Sequence, residues 1–261
     1  MSILIVVGDN KTGKTTLALS GPKPLRHYDL DLGYERASHR FNGQEIVSSR
    51  YEAPAQGIDI LQGKVKLRPK KALHGVRELW EQWVEDYVTA LQDEHWVSHA
   101  IDTGSQLWET CHRGFLQEKQ EAQLERGLAA KETLRESLMP IEYGEPNARM
   151  RAMYYAARTY GRNLIITHYL KPEYQDVLTE KGKESMTTGK MIMDGYKHTD
   201  GLCDVEVWTY VSDESGNENA QGNVPWCRIS LCGLDLRAQG MRIKEPTWGK
   251  IFEVIEKLRS L

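Results

Sequence analysis

The run Ile3-Leu4-Ile5-Val6-Val7, followed without a break by Gly8-Asp9-Asn10-Lys11-Thr12-Gly13-Lys14-Thr15-Thr16, decides the fold. A continuous apolar run of this length reads as a strand buried on both faces, the habit of parallel sheets. Gly8 to Thr15 then satisfy G-x₄-G-K-[ST] in full. Thr15 to Ser20 begins a helix, closed by Gly21-Pro22. A strand, a glycine loop and a helix in this order make a phosphate cradle. The glycines let successive N–H groups turn toward a β-phosphate, and the helix start adds partial positive charge. Lys14 is placed to bridge β- and γ-phosphate oxygens, and Thr15 to give its hydroxyl to Mg²⁺. ATP and Mg²⁺ are therefore the expected ligands, held by the residues from Gly8 to Thr16.

Outward from the loop, strand and helix signals alternate. Pro24 to Leu30 reads as a second strand, running into Asp29-Leu30-Asp31-Leu32-Gly33. Residues 34 to 75 are polar and read as loop with short strands. Val76, Leu79, Trp80, Trp83, Val84, Tyr87, Val88 and Leu91 recur at helical spacing. His95 to Ile101 is the next strand, ending at Asp102. Residues 111 to 140 favour helix by propensity but carry a thin apolar stripe, so an exposed helical insertion at about 111 to 145 is expected. Pro146 suits the first turn of a further helix that Gly161 closes, and Asn163 to Thr167 is a buried strand ending at His168. Residues 171 to 201 read as polar loop. Asp204 to Val211 and Val224 to Leu231 flank a turn-rich segment, so a hairpin is expected, and Pro246 to Leu258 forms a last helix. The whole predicts one α/β domain over 1 to 261, with a mostly parallel sheet flanked by helices and an antiparallel C-terminal hairpin at about 203 to 261.

Composition narrows the class. The chain has 261 residues, 40% apolar and 27% charged, which excludes a disordered or fibrous protein. A net charge of −3 gives no bulk attraction to nucleic acid, so such a partner needs a local basic patch. Cys111, Cys203, Cys227 and Cys232 lack zinc spacing and read as free thiols. With no leader-like or membrane-spanning run, a cytoplasmic location is expected.

Two acids and a histidine end the later core strands. Asp102 is placed to hold the Mg²⁺ shell with Thr15, or to cap the following turn. Asp31 suits a general base for an attacking water, a substrate contact or a solvated turn. His168 suits a sensor of the γ-phosphate or a hydrogen-bonded surface residue. Lys14, Asp31, Asp102 and His168 are thus the candidate catalytic residues.

The order of these motifs resembles the RecA-like P-loop ATPases of phage, especially the compact Sak-type proteins of single-strand annealing and recombination. The pieces that carry the resemblance are Gly8 to Thr16, Tyr28-Asp29-Leu30-Asp31-Leu32-Gly33, Ile101-Asp102-Thr103-Gly104-Ser105-Gln106-Leu107-Trp108 and Ile165-Ile166-Thr167-His168. They span most of residues 1 to 211, and only the first is highly specific. The resemblance implies a RecA-like core and a DNA-stimulated ATPase. It also implies a homo-oligomer with nucleotide between subunits, and a polar residue at the place of His168 that couples nucleotide state to a DNA-binding loop at 169 to 200. Arg242 and Lys244 are candidates for the basic residue acting across subunits. In the family a glutamate stands where this chain has Asp31, one methylene shorter, which implies slow turnover.

Lys64-Val65-Lys66-Leu67-Arg68-Pro69-Lys70-Lys71 carries five basic residues in eight, with Lys64, Lys66 and Arg68 on one face if extended. Lys181, Lys183 and Lys190, with Tyr174 and Tyr196 for base stacking, form a second candidate strip. Either strip reads equally as solvated loop, and the first also suits an acidic partner protein. Single-stranded DNA is the expected partner, with a single-strand-binding protein as a further one. Two alternatives stand beside this reading. One is a small-molecule or nucleotide kinase whose acceptor meets Asp29 or Asp31 and whose lid is Arg113 to Arg135. The other is a nucleotide-switched binding protein with little turnover.

Overall fold

The computed structural model describes residues 1–54, 58–61, 64–67, 72–127, 134–179 and 182–261, with backbone alone described inside 55–71 and 178–183. In chain order the first elements are β1 (Ile3–Gly8), α1 (Lys14–Leu19), β2 (Leu25–Asp29), α2 (Tyr34–Ser38), β3 (Ile46–Arg50), β4 (Ile58–Leu61) and β5 (Lys64–Leu67). Then follow α3 (Val76–Gln92), β6 (Ser98–Asp102), α4 (Gly104–Glu125), α5 (Gly144–Thr159) and β7 (Asn163–His168). The last are β8 (Leu170–Thr179), β9 (Gly182–Met193), β10 (Val205–Ser212), β11 (Val224–Cys232), β12 (Arg242–Lys244) and α6 (Trp248–Arg259).

Eight strands form one mixed sheet in the order β12-β11-β10-β1-β7-β6-β2-β3. From β10 to β3 every neighbour is parallel, whereas β11 and β12 add antiparallel at the other edge. This is the α/β architecture with a mostly parallel sheet and a C-terminal antiparallel hairpin that the alternation predicts. Every residue of β1 is buried, because the pleat sends successive side chains to opposite faces. Ile3, Ile5 and Val7 enter a core beneath α3, α4 and α5, and Leu4 and Val6 enter a second core beneath α1 and α6.

The larger core is aromatic. Trp83 and Tyr87 stack at 4.9 Å, and Tyr28 meets both edge-on at 6.0 and 5.7 Å. Such pairs add about 1 kcal/mol each beyond burial. His99 is also fully buried there, with its Nδ1 3.1 Å from the Tyr28 hydroxyl.

Local signals explain the helix limits. The Thr103 hydroxyl accepts from the Gln106 N–H at the start of α4, and the Thr247 hydroxyl accepts from the Lys250 N–H at the start of α6. Three segments differ from the sequence-based expectation. The first half of the expected insertion continues α4, with Cys111, Leu116, Gln117 and Gln120 buried. Its thin apolar stripe is completed by amides. Gln117 Oε1 accepts from the N–H groups of Val76 and Arg77, and Gln120 Oε1 accepts from Leu73. Second, the expected polar loop at 171 to 201 contains the long antiparallel hairpin β8–β9. Its strands pair with each other and not with the main sheet, and its described side chains are mostly exposed, so it lacks the apolar alternation of a half-buried strand. Third, β12 is too short to show a period. No helix among the described residues is long and apolar enough to cross a membrane.

Burial pushes the His99 imidazole down to about 3, with the charges of Arg162 and Arg26 adding to the effect. The folded state therefore holds it neutral, while the unfolded chain takes up a proton as pH falls below the usual 6.5. The stability this difference supplies is complete above that value and is lost as pH falls toward the folded value. Urea unfolding at about pH 7.5 and about pH 5 is expected to show a loss to which His99 contributes about 2 kcal/mol. His99→Gln should flatten the dependence. An unchanged slope in that variant would contradict the assignment.

Candidate phosphate and cation site

The loop leaving β1 curls through two left-handed residues, Lys11 at φ 64° and Gly13 at φ 93°. The Thr12 hydroxyl donates to the Asp9 carbonyl at 2.9 Å and meets the Thr209 hydroxyl at 2.8 Å, which ties the curl to β10. Gly8 has no room for a side chain, since a Cβ there would lie 2.7 Å from the Thr209 carbonyl oxygen. The Lys14 ammonium is buried, donates to the carbonyls of Gly8 (2.8 Å) and Asp9 (2.6 Å), and stands 4.8 Å from the centre of the Tyr169 ring. Burial lowers its pKa, against the opposing pull of the Asp102, Asp31 and Asp9 carboxylates.

Beside the ammonium, Asp29, Asp31 and Asp102 each offer an oxygen, and these oxygens lie within 4.8 Å of one another. The three acids have different jobs. Asp29 is committed: Oδ1 accepts from the Gly33 N–H (2.9 Å) and Oδ2 from the Tyr34 N–H (3.3 Å), fixing the start of α2 to the end of β2. Asp102 is 1% exposed. Its Oδ1 accepts from the Thr167 hydroxyl, and its Oδ2 lies 3.8 Å from His27 Nε2. Burial pushes its carboxyl up, but His27 together with the Thr15 and Thr167 hydroxyls holds it below its usual value, so it stays ionised. Asp31 is half-buried; its Oδ2 accepts from the Tyr169 hydroxyl and its Oδ1 has no partner among the described residues. Burial, then the charge of Asp102, raise its pKa.

Gly33 marks where these groups converge. A Cβ built there would lie 2.8 Å from Asp31 Oδ1, 3.1 Å from Thr15 Oγ1 and 3.4 Å from Asp102 Oδ2. Three oxygens around one small space, two of them buried without a hydrogen-bond partner, suit a hard cation such as Mg²⁺.

The end of β7 departs from expectation. His168 does not line the cleft in front of the loop. It is fully buried with Nδ1 donating to the Asp194 carbonyl at 3.0 Å, and its ring fills the space left by Gly104 and Gly195. Burial pushes the imidazole down to about 4. Its neighbours take the expected position instead: Thr167 touches Asp102 and Tyr169 touches Asp31 and Lys14. Strand alternation is the signal for this, because residues on either side of His168 share the opposite face.

The cleft has a volume of about 600 Å³. The loop, Asp31, Gly33, Arg36, Arg40, Tyr169, Val211, Asn223 and Pro225 line it. The arginines, His27 and Tyr169 carry no sequence motif. Arg113 and Arg126, expected in a kinase lid, do not line it, and Arg135 is paired with Glu142.

Of the expected DNA contacts, Arg68 and Lys181 lie outside the described residues. Lys64 and Lys66 fall on β5 and Lys183 on β9, with their side chains outside the description. Lys190 is exposed on β9. Tyr174 is exposed, but Tyr196 is fully buried beside Trp108 and cannot stack on a base. Lys244 is paired with Glu214 on the edge strand β12, where Arg242 is exposed.

Replacing Tyr169 with Phe removes the hydroxyl that donates to Asp31 and should lower unfolding free energy by about 1 kcal/mol. A urea midpoint unchanged in Tyr169→Phe would show that the contact carries no net stability.

No protein-family model matches the chain and no curated protein matches it, so its function rests on the chemistry of this site.

Proposed function

We propose that this chain is a Mg²⁺-dependent P-loop ATPase of RecA-like build that acts on single-stranded DNA. The observation that carries the reading is the placement of β7 between β1 and β6. The end of one strand thereby stands between the phosphate loop and Asp102. It presents Tyr169 to Lys14 and Asp31, then runs directly into the exposed hairpin β8–β9. A triphosphate in the loop and a surface element outside it are thus joined through one residue, as a DNA-coupled ATPase requires. Among the described residues of the expected lid, Arg113, Arg126 and Arg135 do not line the cleft, which weighs against a kinase.

In this reading the loop N–H groups and Lys14 hold the phosphates, and Val211, Asn223 and Pro225 flank the base. Thr15 and Asp102 hold Mg²⁺, which supplies charge neutralisation on the β- and γ-phosphate oxygens. Asp31 orients and deprotonates the attacking water, and burial favours this by raising its proton affinity. The hairpin carrying Lys190, and the strand carrying Lys64 and Lys66, are the candidate DNA surfaces. A homo-oligomer with nucleotide near the subunit boundary fits the same class.

Hydrolysis of ATP with and without single-stranded DNA, at low and moderate salt, tests the assignment. DNA should raise the rate, and Lys14→Ala should abolish hydrolysis. Unchanged hydrolysis together with no gel shift would remove the DNA role. Asp31→Asn should bind ATP but not hydrolyse it, so retained hydrolysis would refute the base. Gly33→Ala should fold normally, its φ being −84°, yet weaken Mg²⁺-ATP binding by tenfold or more, about 1.4 kcal/mol.

A further inference from the structure

We propose that Arg36 and Arg40 form a cationic arm that grips the terminal phosphate of the bound triphosphate from within the same chain. The inference rests on the nucleotide reading above and adds residues that no motif assigns.

Arg36 lies on α2 and Arg40 on the 3-10 turn His39–Phe41 that continues it. Four residues apart, they fall on one side of this short helical segment, and both line the cleft that holds Lys14, Thr15, Asp31 and Tyr169. In the nucleotide reading the part of the cleft near Asp31 and Tyr169 takes the γ-phosphate. Arg36 acts electrostatically on both Asp31 and Tyr169, and the Tyr169 ring stands 4.8 Å from the Lys14 ammonium. Val211, Asn223 and Pro225, from the β10–β11 side of the loop, are left to flank the base.

Both guanidinium groups are uncommitted. Arginines elsewhere, such as Arg50, Arg149 and Arg237, hold carboxylates. Neither guanidinium has an ion pair or a hydrogen bond to any described residue, although both are exposed and Arg36 is near enough to act on the Asp31 carboxylate. Their mount, by contrast, is fixed. Asp29 holds the N–H groups of Gly33 and Tyr34, the Tyr34 ring lies 5.3 Å from the His27 ring, and Glu35 on the same helix pairs with Arg50 of β3. Two guanidinium groups without a described partner on a fixed base, lining one cleft with a buried lysine, suit a dianionic phosphoryl group. Planar guanidinium groups bind its oxygens bidentately and offset the charge that builds there during transfer.

The test compares wild type, Arg36→Ala, Arg40→Ala, the double alanine variant and the double lysine variant, with thermal melts as a folding control. Binding of Mg²⁺-ADP and of a Mg²⁺-bound non-hydrolysable ATP analogue is titrated, and ATP hydrolysis is measured. The double alanine variant should bind ADP like wild type and bind the triphosphate about tenfold more weakly. It should also hydrolyse ATP roughly 10³-fold more slowly, with partial recovery in the lysine variant. Equal weakening for ADP and the triphosphate, or unchanged hydrolysis, would overturn the proposal while leaving the ATPase reading intact. A wild type that binds neither nucleotide would overturn both.

Discussion

The Asp102 carboxylate is buried to 1% exposure at the end of a central strand, and the neighbourhood is organised around keeping it charged there. An isolated charge in such a place is strongly unfavourable unless paired and hydrogen-bonded. Thr167 supplies a hydroxyl from β7, His27 an imidazole from β2, Thr15 a hydroxyl from α1, and Lys14 a positive charge. They come from β7, β2 and the start of α1, so the sheet order and the helix start must both be correct for the charge to be tolerated. A cation beside Gly33 would complete the compensation, which ties the stability of this corner to the ligand it is proposed to bind.

The same crowding separates the roles of three similar side chains. Asp29 spends both oxygens on backbone N–H groups and acts as a mount. Asp102 is held ionised by donors on either side. Asp31 shares one oxygen with a phenol, is pushed toward protonation by burial and by Asp102, and keeps its other oxygen free. Environment, and not residue type, commits one acid to backbone N–H groups, holds one ionised and pushes one toward protonation. Tyr169 ties this chemistry to the rest of the molecule. Its N–H donates to the Ser105 hydroxyl, that hydroxyl donates to the Asp194 carbonyl at the foot of β9, and its own hydroxyl reaches Asp31. Both strands of the exposed hairpin are therefore anchored within a few bonds of the phosphate loop.

Much of the sheet was legible residue by residue. The runs that became β1 and β7 are largely apolar because both faces are covered, and α3 and α5 show their buried side at helical spacing. Other pieces were illegible for physical reasons. The hairpin β8–β9 has little core face, so nothing in its side chains alternates. The inner part of α4 is buried through Gln117 and Gln120, whose amides satisfy the start of α3 and so pass for solvent-facing polar groups in a sequence pattern. His168 ends β7 as expected, but its side chain is buried against Gly104 and Gly195 and does not line the cleft, because a one-residue step moves a side chain across the sheet.

The sequence by itself determined the glycine loop from Gly8 to Thr16, the strand before it and the helix after it, because a local glycine pattern and a local apolar run are sufficient for those. It also determined that acids end β2 and β6. Only the tertiary structure decided which of those groups meet. Asp31, Thr167, Tyr169, Arg36 and Lys14 are separated by up to 155 residues along the chain, and they come together because β7 lies between β1 and β6 with β2 beyond. Strand order is a property of how buried surfaces are shared among elements, and no single stretch of the chain encodes it.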